Sequence, residues 1–312
     1  MYTIGVDVGG MTIKVGLVDE NGKIILKDRV VTSKNPSTAI RETAELIYKI
    51  LEKANVKLEE VKGIGFGCPG SVSNKTGTLV YCNNLPWENI KVREEMKKYI
   101  NLPVELGNDA DVAALGEVKF GVAKGYSDAV MFTLGTGVGG GIIINGKIFS
   151  GSDGFGAELG HTNLVMDGKP CTCGRFGCLE AYASATALME QAREEMQKNK
   201  NSKMWDFVSG DVNKVDGKMV FDCAREGDES ALKVCDTFVK YVSEGIINML
   251  NIFRPEIFII GGGVSAAGKY FFDKIVAYCE KEHYGYAKVR IDIVPASLGN
   301  DAGIIGAASL IN

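Results

Sequence analysis

A chain of 312 residues is too long for one ordinary core and suits two α/β domains. Apolar residues make up 46% and charged residues 24%, which supplies full cores without disulfide staples. The net charge of −4 argues against a general nucleic-acid binder, since no surplus of Lys and Arg is available to neutralise phosphates. No stretch approaches the ~20 apolar residues of a membrane span. The chain opens directly as a strand, with no charged and apolar leader before it. It therefore reads as cytoplasmic, with neither a nucleic-acid nor a membrane partner.

Residues 2–8 form the first expected strand, and Gly9-Gly10 turns into a second from Ile13 to Val18. Asn21-Gly22 is a hairpin signal, and Lys23 to Val31 continues as a third strand. From Ser37 to Ala54 the spacing is helical, with Ile40, Ala44, Ile47 and Leu51 on one face. A buried strand, Gly63 to Gly67, ends at Pro69-Gly70. A short helix over Val92–Ile100, a strand over Val104–Leu106 and a helix from Asp109 to Phe120 close the first half.

The second half repeats this order. Ala129–Leu134 reads as a strand, Gly135 to Gly141 as a Gly-rich turn, Ile142–Ile144 as a strand and Asn145-Gly146 as a hairpin. Helices are expected between Glu180 and Phe253, then a strand at Ile257–Ile260, the turn Gly261-Gly262-Gly263 and a further helix. A strand at Val289–Val294 and a last helix from Asp301 follow. The recurrence of strand, Gly-rich turn, strand, Asn-Gly and strand predicts two related α/β domains around a cleft. The expected division is residues 1–117 with 300–312 as a small domain, and 118–299 as a large one.

Three Gly-rich turns follow strands: Gly9-Gly10 after Asp7, Gly135-Thr136-Gly137, and Gly261-Gly262-Gly263. Glycine lets backbone N–H groups approach phosphate oxygens, and Thr12, Thr133 and Thr136 add hydroxyls. Asp7 is placed to hold Mg²⁺ through water. None of the turns is a Walker A or a dinucleotide-binding fingerprint. Two hairpin-type turns from two repeated halves point to a clamp on a nucleotide polyphosphate.

Of eight cysteines, Cys68, Cys82, Cys223, Cys235 and Cys279 are scattered and read as small buried hydrophobes. Cys171, Cys173 and Cys178 are clustered, with His161 ten residues upstream of Cys171. Three thiolates and an imidazole satisfy tetrahedral Zn²⁺ and leave no open position, so the site is structural. A metal-free cysteine loop is the alternative. His283 lacks such company and reads as a surface residue.

Asn108-Asp109 lies between a strand and a helix and admits two readings. Asp109 can serve as the helix N-cap, or as a base held by a rigid strand end for phosphoryl transfer. Glu158 and Glu180 flank the His and Cys stretch. They suit paired hydrogen bonds to sugar hydroxyls, or a plain surface role.

Asp7-x-Gly9-Gly10, Pro69-Gly70, Asn108-Asp109, Gly135-Thr136-Gly137, Glu158-x-x-His161, Cys171-x-Cys173-Gly174-x-x-Gly177-Cys178-x-Glu180 and Gly261-Gly262-Gly263 occur in the order seen in ROK proteins. The chain resembles this family of bacterial sugar kinases and sugar-responsive repressors over essentially its whole length, and glucokinase is the member type it most resembles. The resemblance implies an actin-like ATPase (ribonuclease H-like) α/β fold with a hexose and ATP in the cleft. It implies Asp109 as the base for the sugar 6-hydroxyl. Gly70, Asn108, Glu158, His161 and Glu180 would bind the sugar, with His161 also a ligand to structural zinc beside Cys171, Cys173 and Cys178. Asp7, Gly9, Gly10, Thr12, Thr136 and Gly137 would serve Mg²⁺ and phosphates, and Gly261, Gly262 and Gly263 the nucleoside. A homodimer is common among relatives. The family usually has Thr after the first Gly-Gly, where this chain has Met11; Thr12 or backbone N–H groups must take over that contact.

The resemblance also covers a helix-turn-helix repressor, for which no room precedes the first strand, and a noncatalytic sugar-sensing protein, against which Asp109 and both phosphate turns speak. A carboxylate kinase is disfavoured by the His and Cys cluster. Length and motif spacing favour glucose, while N-acetylmannosamine, N-acetylglucosamine, allose and fructose kinases share the same residues.

Overall fold

The computed structural model describes residues 1–82, 84–285 and 292–311. Its first elements are strands β1 (Tyr2–Val8), β2 (Thr12–Asp19) and β3 (Ile24–Val31), helix α1 (Pro36–Ala54), strands β4 (Val61–Cys68), β5 (Ser71–Ser73), β6 (Thr78–Tyr81) and β7 (Glu88–Ile90), helix α2 (Val92–Lys97), strand β8 (Val104–Asn108) and helix α3 (Asp109–Phe120). Then come β9 (Ala129–Leu134), β10 (Val138–Ile144) and β11 (Lys147–Ile148). Helices α4 (Glu180–Ala183), α5 (Ala185–Lys198), α6 (Met204–Val208), α7 (Gly217–Arg225) and α8 (Glu229–Phe253) follow. Strand β12 (Ile257–Gly261), helix α9 (Lys269–Glu282), strand β13 (Asp292–Pro295) and helix α10 (Ala302–Ala308) complete the chain. The first part of the strand expected at Val289–Val294 lies outside the described residues.

The first sheet has the order β3-β2-β1-β4-β8, and the second β11-β10-β9-β12-β13. In each, the order is third, second, first, fourth, fifth strand, so the repeat legible in the sequence is a repeat of topology. A small third sheet, β5-β6-β7, had no counterpart in the sequence reading. The chain divides into two compact units. One comprises Met1–Ala129, Gly141–Ala157 and Ser297–Asn312, the other Val130–Gly140 and Glu158–Ala296.

The turn expected over Gly135 to Gly141 is shorter than its glycines suggest. Strand β10 already starts at Val138, so Gly139, Gly140 and Gly141 are strand residues. The reason is packing. A Cβ at Gly140 would lie 2.4 Å from the Leu159 side chain, and one at Gly141 2.6 Å from the Ala114 side chain.

In the first unit, helix α1 starts where Asn35 accepts a hydrogen bond from Thr38 N at 3.1 Å and Pro36 sets the first turn. Its inner face buries Ile40, Ala44, Ile47 and Leu51, as the spacing predicts, together with Ile50. Each large aliphatic side chain buried this way contributes about 1.5–3 kcal/mol. Helix α10 lies backbone against backbone on the sheet. A Cβ at Gly5 would sit 1.9 Å from Ile304 O, and one at Gly65 1.7 Å from Ala307 O. Neither position tolerates any side chain.

Glu117, near the end of α3, is fully buried. Its carboxylate accepts from Ser297 N, Leu298 N and Ser297 Oγ, each at 2.8 Å, and from Val122 N at 2.9 Å. Four donors satisfy a charge that burial would otherwise penalise. They pin the returning chain at Ser297 to α3. In the second unit the core is aromatic: Phe132 meets Phe258 edge-on at 4.9 Å, and Phe271 meets Phe221 at 5.5 Å and Phe238 at 6.1 Å. Cys68, Cys82, Cys223, Cys235 and Cys279 are all buried free thiols, as expected. His283, expected at the surface, is half-buried, with Nδ1 2.9 Å from Cys279 O at the end of α9. No helix among the described residues is long and apolar enough to cross a membrane.

The Glu117 arrangement makes a direct prediction. Glu117→Ala strands three part-buried backbone donors and should lower unfolding stability by about 3 kcal/mol. Urea denaturation reads this, and a loss below about 1 kcal/mol contradicts it.

Candidate active site

Strands β1, β4 and β8 run parallel and in register, with Asp7 opposite Gly67 and Cys68 opposite Asn108. Their carboxyl ends therefore share one edge of the sheet, the usual place for ligands in such sheets. This edge gathers Asp7, the Gly9-Gly10 turn with Thr12, Pro69-Gly70 and Asn108-Asp109. The first turn is closed by Gly9 N donating to Thr12 O at 3.0 Å and Thr32 Oγ1 donating to Gly9 O at 2.7 Å. Met11 is 84% exposed at its tip, so no side-chain hydroxyl stands where the family carries Thr. Thr12 is half-buried at the start of β2.

Asp7 has a partner that the sequence reading missed. Lys14 lies opposite it across the β1–β2 hairpin, and Nζ is 2.9 Å from Asp7 Oδ2. Once the Gly9-Gly10 turn sets the register, Lys14 can only face Asp7. On the neighbouring strand, Cys68 directly follows Gly67, the residue opposite Asp7. Burial pushes its thiol far above the usual range, and the charges of Asp109 and Asp7 add to the effect. It stays a neutral thiol at the foot of the acidic edge.

Of the two readings of Asp109, the structure does not support that of helix cap. Asn108, not Asp109, is the N-cap: its Oδ1 accepts from Ala110 N at 2.9 Å and Asp111 N at 3.3 Å. The amide end donates to Gly70 O at 3.0 Å. Asp109 thus holds the first helical position and is exposed, with Oδ1 2.8 Å from Ala110 N. Its carboxylate therefore stands at the amino end of the helix, beside the cap.

The second unit holds the other residues. His161 Nδ1 is 3.6 Å from Cys171 Sγ, and Cys173 Sγ is 3.7 Å from Cys178 Sγ. All four donor atoms lie within 4.8 Å of one another. A tetrahedral zinc with Zn–S of about 2.3 Å and Zn–N of about 2.0–2.1 Å sets donors about 3.8 Å apart for two sulfurs and about 3.6 Å apart for sulfur and nitrogen. The His161–Cys171 and Cys173–Cys178 separations match those edges. Burial and the neighbouring Cys173 and Cys171 push Cys178 up to about 12. His161 uses Nδ1 here, which leaves Nε2 on the far side of the ring.

Glu180 opens α4 and is half-buried. Its Oε1 accepts from Thr172 Oγ1 at 2.9 Å, and Oε2 accepts from Val138 N at 3.0 Å. One carboxylate thereby joins the cysteine loop to the end of the Gly135–Gly137 turn. That turn is further held by Ala185 N donating to Gly135 O and Thr186 Oγ1 donating to Thr136 O, each at 2.8 Å. Gly262 adopts φ 81 and comes so close to Leu134 that a Cβ would lie 2.4 Å from its carbonyl oxygen. The Gly261–Gly263 turn and the Gly135–Gly137 turn therefore stand at the ends of the neighbouring strands β12 and β9. Glu158 is exposed and follows Ala157, a non-glycine residue at φ 65, a backbone state that costs about 1–2 kcal/mol. Crowding around its carboxyl pushes Glu158 above the usual carboxylate range; Glu180 adds to this and His161 opposes it.

These turns, carboxylates and cysteines lie in the order and places of a known group. A model of the ROK family matches residues 3–312. The chain belongs to the ROK family. It is 40% identical to the glucokinase of Thermotoga maritima over 316 residues, covering 99% of this chain and 96% of that one. Among solved structures, the ROK family glucokinase from Streptomyces griseus in complex with glucose and AMPPNP is 34% identical, with a TM-score of 0.83 over 100% of this chain and 99% of the other. The ROK hexokinase from Thermus thermophilus is 30% identical, with a TM-score of 0.84 and coverage of 100% and 98%. The actin-like α/β fold expected from the sequence is borne out by these ROK relatives.

The cysteine cluster generates the next prediction. Elemental analysis of the purified protein should return about one zinc per chain, and Cys171→Ser should lose it. A preparation that is fully active without zinc, or a variant that keeps it, contradicts the fit.

Proposed function

We propose that this protein transfers the γ-phosphoryl group of ATP to the 6-hydroxyl of a hexose, with glucose as its first substrate. The observation that carries this reading is the strand-to-helix junction at Asn108-Asp109. An exposed carboxylate, next to the asparagine that caps the helix, is held on rigid backbone at the same sheet edge as Asp7 and the Gly9-Gly10 turn. Phosphoryl transfer asks for positioning and charge stabilisation more than for a strong base.

In this reading Asp109 accepts the proton of the sugar hydroxyl as its oxygen bonds to the γ-phosphorus, and ADP leaves with the electrons of the broken P–O bond. Gly70, Asn108, Glu158, His161 and Glu180 orient the sugar through its hydroxyls, His161 through Nε2. The backbone N–H groups at Gly10, Thr136 and Gly137 face the phosphates while Gly9 closes its turn onto Thr12 O, helped by the Thr12 hydroxyl in place of the one that Met11 lacks. Gly261, Gly262 and Gly263 leave room for the nucleoside. Asp7 would hold Mg²⁺ through water, where the ion neutralises phosphate charge. Zinc on His161, Cys171, Cys173 and Cys178 would be structural, with no open position for substrate. It would brace the loop that carries Thr172, and Thr172 in turn fixes Glu180. The kinship with glucokinases, including one solved with glucose, supports glucose over other hexoses.

A coupled assay for ADP release across glucose, mannose, fructose, allose, N-acetylmannosamine and N-acetylglucosamine tests this. Glucose should give the highest kcat/KM, about tenfold or more above each N-acetylhexosamine, a gap of about 1.4 kcal/mol in transition-state binding. Absence of phosphorylation of every sugar in the panel overturns the kinase reading. An N-acetylhexosamine as the best substrate overturns the assignment to glucose.

A further inference from the structure

The first unit contains a cavity of about 900 Å³ that shares only Asn108 with the residues of the proposed chemistry. It lies along the outer edge of β8, the strand that pairs on one side only. The wall beside that edge is built. Asn74 Oδ1 accepts from Leu106 N at 2.9 Å and from Arg93 at 3.2 Å, and Arg93 Nε donates to Val104 O at 2.8 Å. The opposite wall is the β10–β11 hairpin, held by Asn145 N donating to Asp128 Oδ1 at 2.7 Å and Gly146 N donating to Ser127 O at 2.8 Å.

The lining has two chemical characters. Val72, Leu106, Leu115, Leu310 and Phe155 give it an apolar face, with Phe155 36% exposed. Lys75, Lys119 and Lys147 also line it, all exposed, and no carboxylate pairs with any of them among the described residues. Two carboxylates line it as well. Asp111 is buried, and Asp153 Oδ1 already accepts from Phe155 N at 3.1 Å. Three ammonium groups against two carboxylates leave the cavity cationic. Ser73, Ser150 and Ser152 add hydroxyls.

We infer that this cavity is a second ligand site, for a phosphate monoester of a small polyhydroxylated molecule. The lysines hold the dianion, the serines and Asn145 take hydroxyls, and Phe155 and the aliphatic face cover the ring carbons. Its size is that of a small-molecule site. Asn108 is part of the lining. The ligand therefore lies against the residue that caps α3 and bonds to Gly70, and its binding is coupled to the placement of Asp109. The site stands independently of the reaction proposed above, although the product of that reaction is the simplest member of the ligand class.

The test is calorimetric titration of the full-length protein with glucose 6-phosphate while glucose is held at saturation, which blocks the reaction site. About one equivalent should still bind, and more weakly as salt is raised. In Lys119→Glu/Lys147→Glu, two exposed positions outside the reacting residues, this binding should weaken about tenfold or more, with kcat and both KM values unchanged. Circular dichroism confirms that the variant is folded. No binding under saturating glucose overturns the inference, and so does equal binding in the variant. Inorganic phosphate binding as tightly as the ester also overturns it, because the apolar face would then hold nothing.

Discussion

The side chain of Asn108 holds three pieces of the first unit in one place: the end of β8, the start of α3 and the Pro69-Gly70 loop. Its oxygen satisfies the first free N–H groups of the helix, and its amide reaches the carbonyl of Gly70. No other side chain type does both, because only an amide offers an acceptor and a donor on one planar group of this length. Aspartate would cap the helix but could not donate to Gly70. The consequence is that Asp109 holds the first helical position, exposed at a rigid corner.

A second constraint works in the other unit. Glu180 spans two loops that have no other reason to move together, the cysteine knuckle through Thr172 and the glycine turn through Val138 N. The turn cannot shift without breaking a bond to a carboxylate seated on a helix start. A metal on the four clustered donors would stiffen one end of this link. That is how a site with no open coordination position can bear on phosphoryl transfer while taking no part in the chemistry.

Much of this was legible beforehand, for identifiable reasons. Strands and helices with long periodic apolar faces, such as α1 and β9, declare themselves through spacing. The repeat declares itself through recurring Asn-Gly hairpins, which fix the first three strands of each sheet. His161 and the three cysteines are legible because few other roles suit that composition. Other features depend on pairing, which a linear reading does not contain. Lys14 faces Asp7 only because the hairpin register puts it there. The strands β5, β6 and β7 have three or four residues each and no alternation long enough to read. Gly139 to Gly141 look like turn residues, yet they are small because Leu159 and Ala114 press against the strand. Asp109 admits two readings from sequence, cap or base; that Asn108 takes the cap is disclosed only by the hydrogen bonds.

The account stands or falls on Asp109 as the group that accepts the hydroxyl proton. Asp109→Asn keeps the shape and removes the base, while Asn108 still caps the helix. Single-turnover phosphorylation of glucose should slow by about three orders of magnitude, a barrier increase of about 4 kcal/mol. Glucose affinity measured by equilibrium binding should stay within a few-fold of the parent. A variant that turns over at near the parental rate contradicts the account.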